Sequence, residues 1–303
     1  MESCIIMVMG IEELEVQRKH LAKTFKTYIV ISSIIGAICI LISIIFHLVE
    51  MIFILSVYFF IVVVILAVTV LKKWKILKGQ IKKGYVCDLM TALFINPQYE
   101  PLNSINRDVV KEAGFVQMGN TYSGDDLMRG EYNGVKFTAS DLLIQNVTSN
   151  GKQTITVTYF QGKYMIFSFN KPFDANFCIC SKAGIRKIAI QAGLFTHRKK
   201  VELEDESFNM EFSCQTTDEH TFFYIVTPNF SEKVRELKKA FDYGIALGFT
   251  NNEVHVLICT KKNSMEPSLF AEINESFREV CRKEMDTIIK VIDVLDLSNK
   301  MFL

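Results

Sequence analysis

Residues 28–71 form a run of 44, of which 36 are apolar and only Glu50 is charged. A bilayer core takes about 20 apolar residues per helix. One straight helix through the whole run would be about 66 Å long, about twice what a bilayer accommodates. The run therefore predicts two spans, 28–49 and 51–71, with the chain turning at His47-Leu48-Val49-Glu50. It is too long, and begins too late, to be a signal peptide. Arg18, Lys19, Lys23 and Lys26 precede it, and Lys72, Lys73, Lys75, Lys78, Lys82 and Lys83 follow it. The turn carries no Lys or Arg. The positive-inside rule then predicts a two-pass protein of the cell membrane with both termini in the cytoplasm. The same ten basic residues form a candidate membrane-surface collar for anionic headgroups, at about 1 kcal/mol each near the surface. Setting the topology is the simpler role for them.

Helical spacing extends inward from both spans, through Ile11, Leu14, Leu21 and Phe25 on one side and Trp74, Leu77, Ile81 and Tyr85 on the other. The expected organisation is an amphipathic basic helix over 1–27, the two spans over 28–71, a basic stalk helix over 72–98 and a cytosolic domain over 99–303. In an antiparallel hairpin centred near Glu50, Glu12, Glu13 and Glu15 would face the region of Lys82 and Lys83. Exposed pairs of that kind would set register more than stability.

Past the stalk, Asn96-Pro97 and Pro101 stop the helix. Ser104 or Asn106 is placed to cap a short helix that ends at Gly114. The period then changes from helical to alternating. Asn133-Gly134 between 129–132 and 135–139 signals a hairpin, because both central residues need positive φ. Asn150-Gly151 and Gln161-Gly162 predict two more turns in a meander, and Asn251-Asn252 another hairpin. Strands are expected at 177–180 and 208–214. Thr227-Pro228 reads as an N-cap followed by proline in the first helical position. A long helix is expected over about 268–295, striped by Phe270, Ile273, Phe277, Val280, Ile288, Ile292 and Leu295. Helices and strands come in blocks, so the class is α+β. The expected architecture is an N-terminal transmembrane helical hairpin, then a cytosolic domain with an antiparallel sheet and a long C-terminal helix.

Several chemistries are disfavoured. From residue 84 onward there are 24 basic and 28 acidic residues, which argues against binding a nucleic-acid backbone. No phosphate-binding glycine loop, zinc-helix motif or nucleophile elbow occurs. The eight cysteines follow no disulfide spacing, and a reducing compartment is the simpler reading. Cys178 and Cys180 share one face of a predicted strand and read as core. The basic run His197-Arg198-Lys199-Lys200 reads as a solvated loop. No cofactor is predicted. The residual enzyme signal is acidic: Asp125, Asp126 and Glu131 in one cluster, Glu204 and Asp205 in another. Such carboxylates can hold a divalent cation or move protons, but each also sits where caps and solvated turns are routine.

An ordered string of segments carries a family resemblance: NPQYEP at 96–101, YNGVKF at 132–137, FSFNKPF at 167–173, VELEDESFNMEF at 201–212, YIVTP at 224–228 and EPSLF at 266–270. No single segment is specific, but their order and spacing resemble the bacterial domain-of-unknown-function family numbered 3137. The resemblance implies a bacterial membrane protein with a two-helix hairpin and a cytosolic domain, and it implies no activity or catalytic residues. The expected function is a membrane-anchored binding, scaffold or sensor module. It would be more a binder than an enzyme, with the bilayer and a protein partner or a second copy as its contacts. The alternative is a membrane-bound enzyme whose acidic, metal-dependent site would need Asp125 and Asp126 to meet Glu204 or Asp205.

Overall fold

The computed structural model describes residues 10–45, 49–151, 153–182, 197–241, 244–260 and 265–298; the side chains at 11, 39, 42–56, 58, 67 and 170–175 also lie outside the description. The chain divides into two compact units. One holds Met7–Tyr85 with Met265–Arg278, and the other holds Met1–Ile6, Val86–Ser264 and Glu279–Leu303.

The first unit is built on helices α1 (Ile11–Ile45) and α2 (Val49–Leu93), the latter continuing into the second unit. Positions 47 and 48 of the turn predicted at 47–50 fall outside the described residues, and 49 and 50 already belong to α2. Polar side chains in the apolar stretch satisfy themselves on their own helix: Ser32 and Ser33 donate to the Ile29 carbonyl, and Thr69 donates to that of Leu66. A Cβ on Gly36 would lie 3.5 Å from the Phe59 ring, so the helices approach there, a few residues off the register expected from a turn at Glu50. Among the described residues one helical stretch, Glu12–Ile38, is long and apolar enough to cross a membrane, and none of its most apolar window is buried.

The stalk pairing expected between α1 acids and α2 lysines is replaced by another. Glu15 bonds Arg18 on its own helix at 2.6 and 2.8 Å, while Lys82 bonds Glu266 at 2.7 Å. The acid for α2 comes from a non-helical segment near the far end of the chain. That segment exists because the last helix, α7 (Glu275–Leu295), starts later than its apolar stripe suggests. Pro267 disfavours helix before it, and Asn274 caps α7 by accepting from the Ser276 N–H at 3.0 Å.

The second unit is a seven-stranded sheet, antiparallel at every described pairing, with strands β1 (Ile95–Glu100), β2 (Thr121–Tyr132), β3 (Val135–Ser149), β4 (Thr154–Ser181), β5 (Lys199–Val201), β6 (Phe212–Thr216) and β7 (Ile245–Cys259). The order is β1-β2-β3-β4-β6-β5. Strand β7 pairs with β4 from Gly162 to Cys180, so β3 and β6 share the other edge of β4. The Asn133-Gly134 turn is present, with φ of 49° and 81°. Gln161-Gly162 is not a turn. At Gly162 φ is 154°, and an added Cβ would lie 2.0 Å from the Ile258 carbonyl, so the glycine lets β7 pass close to an unbroken β4. Asn251-Asn252 is likewise no hairpin. Asn251 has φ 52° within β7, next to a register shift, and β7 continues along β4 on both sides of it.

Side chains alternate across β4 and give the sheet two covered faces. Tyr164 and Ile166 join Leu142, Ile144 and Leu257 in a core with Val110 of helix α3 (Arg107–Ala113). Asn106 caps α3, accepting from the Asp108 N–H at 2.9 Å, and Gly114 ends it in the left-handed conformation. Lys163 is on the opposite face, where α7 packs with Cys281, Met285 and Ile288 fully buried. The strand expected over 208–214 is helix α4 (Glu206–Glu211) followed by β6, because Asp205 caps a helical turn by accepting from the Phe208 N–H. Helices α5 (Glu219–Ile225) and α6 (Pro228–Ala240) follow, the latter capped by Thr227 as expected.

Candidate functional site

The basic collar divides into two groups. Lys19, Lys23, Lys26, Lys72, Lys73 and Lys75 are exposed. Arg18 and Lys82 are buried and structural, and so do not contribute to a surface. The Arg18 guanidinium bonds Glu15 and the Leu269 carbonyl (2.6 Å), and Lys82 bonds Glu266. Lys78 also pairs with Glu266, and Lys83 is half-buried. Burial pulls the Glu266 carboxyl up, but its ion pairs with Lys78 and Lys82 outweigh this and hold it below the usual carboxylate range.

The acidic residues also separate. Asp205 caps α4 and bonds the Arg235 guanidinium at 2.7 Å. Its hydrogen bond from Ser207 is the largest cause that lowers its carboxyl to about 2. Glu204 is exposed beside it, and Glu131 pairs opposite Lys136 at the far end of β2. None of these three joins Asp125 and Asp126. The third member of that cluster is Asp141: one carboxylate oxygen from each of Asp125, Asp126 and Asp141 lies within 4.8 Å of the others. The convergence expected of Asp125 and Asp126 with Glu204 or Asp205 is therefore not found.

The cluster is made by the sheet. Asp125 and Asp141 are cross-strand partners on β2 and β3, and Asp141 is the partner of Lys163 on β4. A β-bulge between Asp125 and Met128 inserts Asp126 with φ 57°, a left-handed backbone that costs a non-glycine residue energy. The bulge leaves Asp126 fully buried, with one oxygen accepting from the Tyr99 hydroxyl at 2.5 Å. Burial raises the Tyr99 hydroxyl pKa well above its ordinary value, and the Asp126 charge raises it further.

Lys163 closes the network from beneath. Its ammonium is 3.0 Å from Asp141 and 2.9 Å from Glu284 of α7, as ion pairs whose directions fall short of hydrogen-bond geometry. Burial works against its charge, but the two carboxylates outweigh that and raise its pKa. Asp141 is pushed up to about 6, first by burial; Lys163 pulls against this, while Glu284 and Asp126 reinforce it. Two of the three, Asp125 and Asp141, line a cleft of about 300 Å³ together with Gly124, Leu142, Gln161, Gly162 and Thr260. Three carboxylates in this arrangement offer the hard oxygen ligands that a divalent cation takes.

Two further polar sites lie in the core. His255 accepts or donates at Nδ1 to the Tyr164 hydroxyl (2.9 Å). Arg198, expected in a solvated loop, is buried, with its guanidinium over the Phe115 ring at 4.7 Å and bonded to the Gly114 carbonyl. Burial raises the Cys180 and Cys214 thiols to about 12, as expected of thiols packed in an apolar core.

Residues 158–297 match the family model described as "Protein of unknown function (DUF3137)". It is the family that the ordered segments resemble. The DUF3137 match begins in β4 and ends just past α7, so it takes in Lys163 and Glu284 but none of Asp125, Asp126, Asp141 or the α1–α2 helices. No curated protein matches the chain. A solved structure, that of the mycobacterial trehalose monomycolate transport factor A, TtfA, aligns with 8% identity over 72% of this chain and 95% of that one, at a TM-score of 0.34. That score is too low to define a shared fold.

Proposed function

We propose that this chain is a bacterial membrane-anchored module that binds a partner or acts as a scaffold or sensor, more a binder than an enzyme. In this reading α1 and the 49–71 part of α2 cross the cell membrane as two passes, and both termini are cytoplasmic. One observation carries it. Large apolar side chains face outward along both helices, including Leu41 at 60%, Phe60 at 67% and Ile65 at 57% exposure, and exposed lysines flank the apolar run, Lys19, Lys23 and Lys26 before it and Lys72, Lys73 and Lys75 after it. In water such a surface is unfavourable by about 25 cal/mol per Å². In a bilayer it is the required surface, and the lysines meet headgroups. A reporter active only in the cytoplasm, fused after Leu303, is expected to be active. Activity only from a reporter that works outside the membrane would overturn the topology.

A second reading has its own support, the meeting of Asp125, Asp126 and Asp141, of which Asp125 and Asp141 line an open cleft. It holds that the sheet unit carries a cation and the chemistry a cation allows. Calorimetric titration of the intact protein with Mn²⁺ tests it. Binding that is lost in Asp126→Asn is its expected result, and no binding by the unaltered protein removes it.

A further inference from the structure

The segment from Met265 to Asn274 is fastened to α1 and α2 along its length. Glu266 pairs with Lys78 and Lys82. The Leu269 carbonyl accepts from Arg18 at 2.6 Å. Glu272 lies 3.8 Å from Lys19, and the Ile273 N–H donates to the Glu15 carboxylate. Met265 and Ile273 are buried. Phe270 does the opposite, remaining 55% exposed in the middle of this fastened stretch. Its ring centroid is 6.0 Å from that of Phe25, and the Lys26 ammonium stands 5.7 Å over it.

The level of that contact along the helices is informative. Phe25 and Lys26 come two or three residues before Tyr28, where the apolar run begins, a rise of about 3–5 Å. Exposed Lys23 lies on the same part of α1, and exposed Lys72 and Lys73 directly follow the apolar run on α2. An exposed phenylalanine with one lysine ammonium over its ring, beside the end of an apolar helix run that other exposed lysines flank, has the chemistry of the headgroup boundary. There the ring is buried among acyl chains and the ammonium groups reach phosphates. We propose that the loop carrying Phe270 is an interfacial foot: Phe270 enters the headgroup–acyl boundary of the cytoplasmic leaflet beside the point where α1 and α2 cross it. This rests on the membrane-anchored reading above. Residues far along the chain would then grip the same leaflet as the N-terminal helices, with Arg18, Lys78 and Lys82 holding the foot in place.

The test uses tryptophan fluorescence in the full chain, since Trp74 is the sole tryptophan and Trp74→Phe removes the background. Phe270→Trp is made on that background and reconstituted in vesicles of phosphatidylcholine and phosphatidylglycerol, with bromine placed near the headgroup or near the chain ends. The foot predicts blue-shifted emission at position 270, quenched more by shallow bromine than by deep bromine. Quenching by aqueous iodide and by neither brominated lipid overturns it. Blue-shifted emission that neither lipid nor iodide quenches also overturns it, and points to a protein surface covering the ring. Ile61→Trp on the same background separates the two levels of the proposal. Deep quenching at position 61 without quenching at 270 removes only the foot. No lipid quenching at either position removes the membrane anchoring itself.

Discussion

Among the described residues each unit of this protein buries one lysine almost completely, and the two are handled in opposite ways. In the helical unit Lys82 is sealed, but its partner Glu266 keeps about a third of its side chain in water and is shared with Lys78. Two cations face one carboxylate, and the carboxyl is held below its ordinary range. In the sheet unit Lys163 is sealed together with its partners Asp141 and Glu284, and Asp126 and Asp125 crowd the same place. Carboxylates outnumber the cation, and Asp141 is pushed up to about 6. The same residue type therefore makes a fastening in one unit and a charge-frustrated core in the other. The balance of neighbours and the access of water decide which.

The contrast predicts a graded set of effects. Lys163→Met strands two buried carboxylates and is expected to lower the stability of the sheet unit by about 3–5 kcal/mol, read by urea denaturation. Adding Asp141→Asn should recover part of this, and a single variant as stable as the parent would break the contrast. The pH response comes next in size. Asp141 binds its proton more tightly folded (about 6) than unfolded (3.8), so its ionisation opposes folding. The sheet unit should lose stability as pH rises through that window, by up to about 3 kcal/mol, and change no further above it. Glu266 has the reverse sign. Its depressed carboxyl stabilises the helical unit above its ordinary 4.5, and that support is lost as pH falls through its lower folded value. Hydrogen exchange of β3 and β4 amides against those near 265–273, followed from about pH 2 to about 7, separates the two trends. The smallest effect is Lys82→Met. Glu266 can turn toward water and keep Lys78, so a loss of about 1 kcal/mol is expected. A loss as large as that of Lys163→Met would erase the distinction between the two lysines.

Part of the candidate site was legible in the sequence and part was not. Asp125 and Asp126 stand out as adjacent acids near an alternating segment, and they do belong together. Asp141 and Lys163 were missed because each is a single charge within an apolar strand, where alternation alone would read it as facing solvent. Their signal was the charge itself, on strands that are buried on both faces. Asp205 was grouped with the wrong partners, since a cap and a ligand are the same residue type before the helix is seen. Local turn chemistry was read well at Asn133-Gly134, where positive φ at both residues makes a hairpin. It failed at Gln161-Gly162 and Asn251-Asn252, because a glycine or asparagine with positive φ serves a close strand crossing or a bulge as readily as a turn.

The α+β class, the caps at Asn106 and Thr227, the apolar helical stretch and the family resemblance are all legible in the order of residues. Each of these is written in neighbouring residues, through period, capping side chains or segment order. Which charges are buried, which strand lies beside which, and the return of residues 265–274 to α1 and α2 emerge only on folding. Those outcomes depend on groups up to 251 positions apart in the chain, such as Arg18 and Leu269. The energy of a charge is set by the neighbours and the water that folding brings to it or takes away.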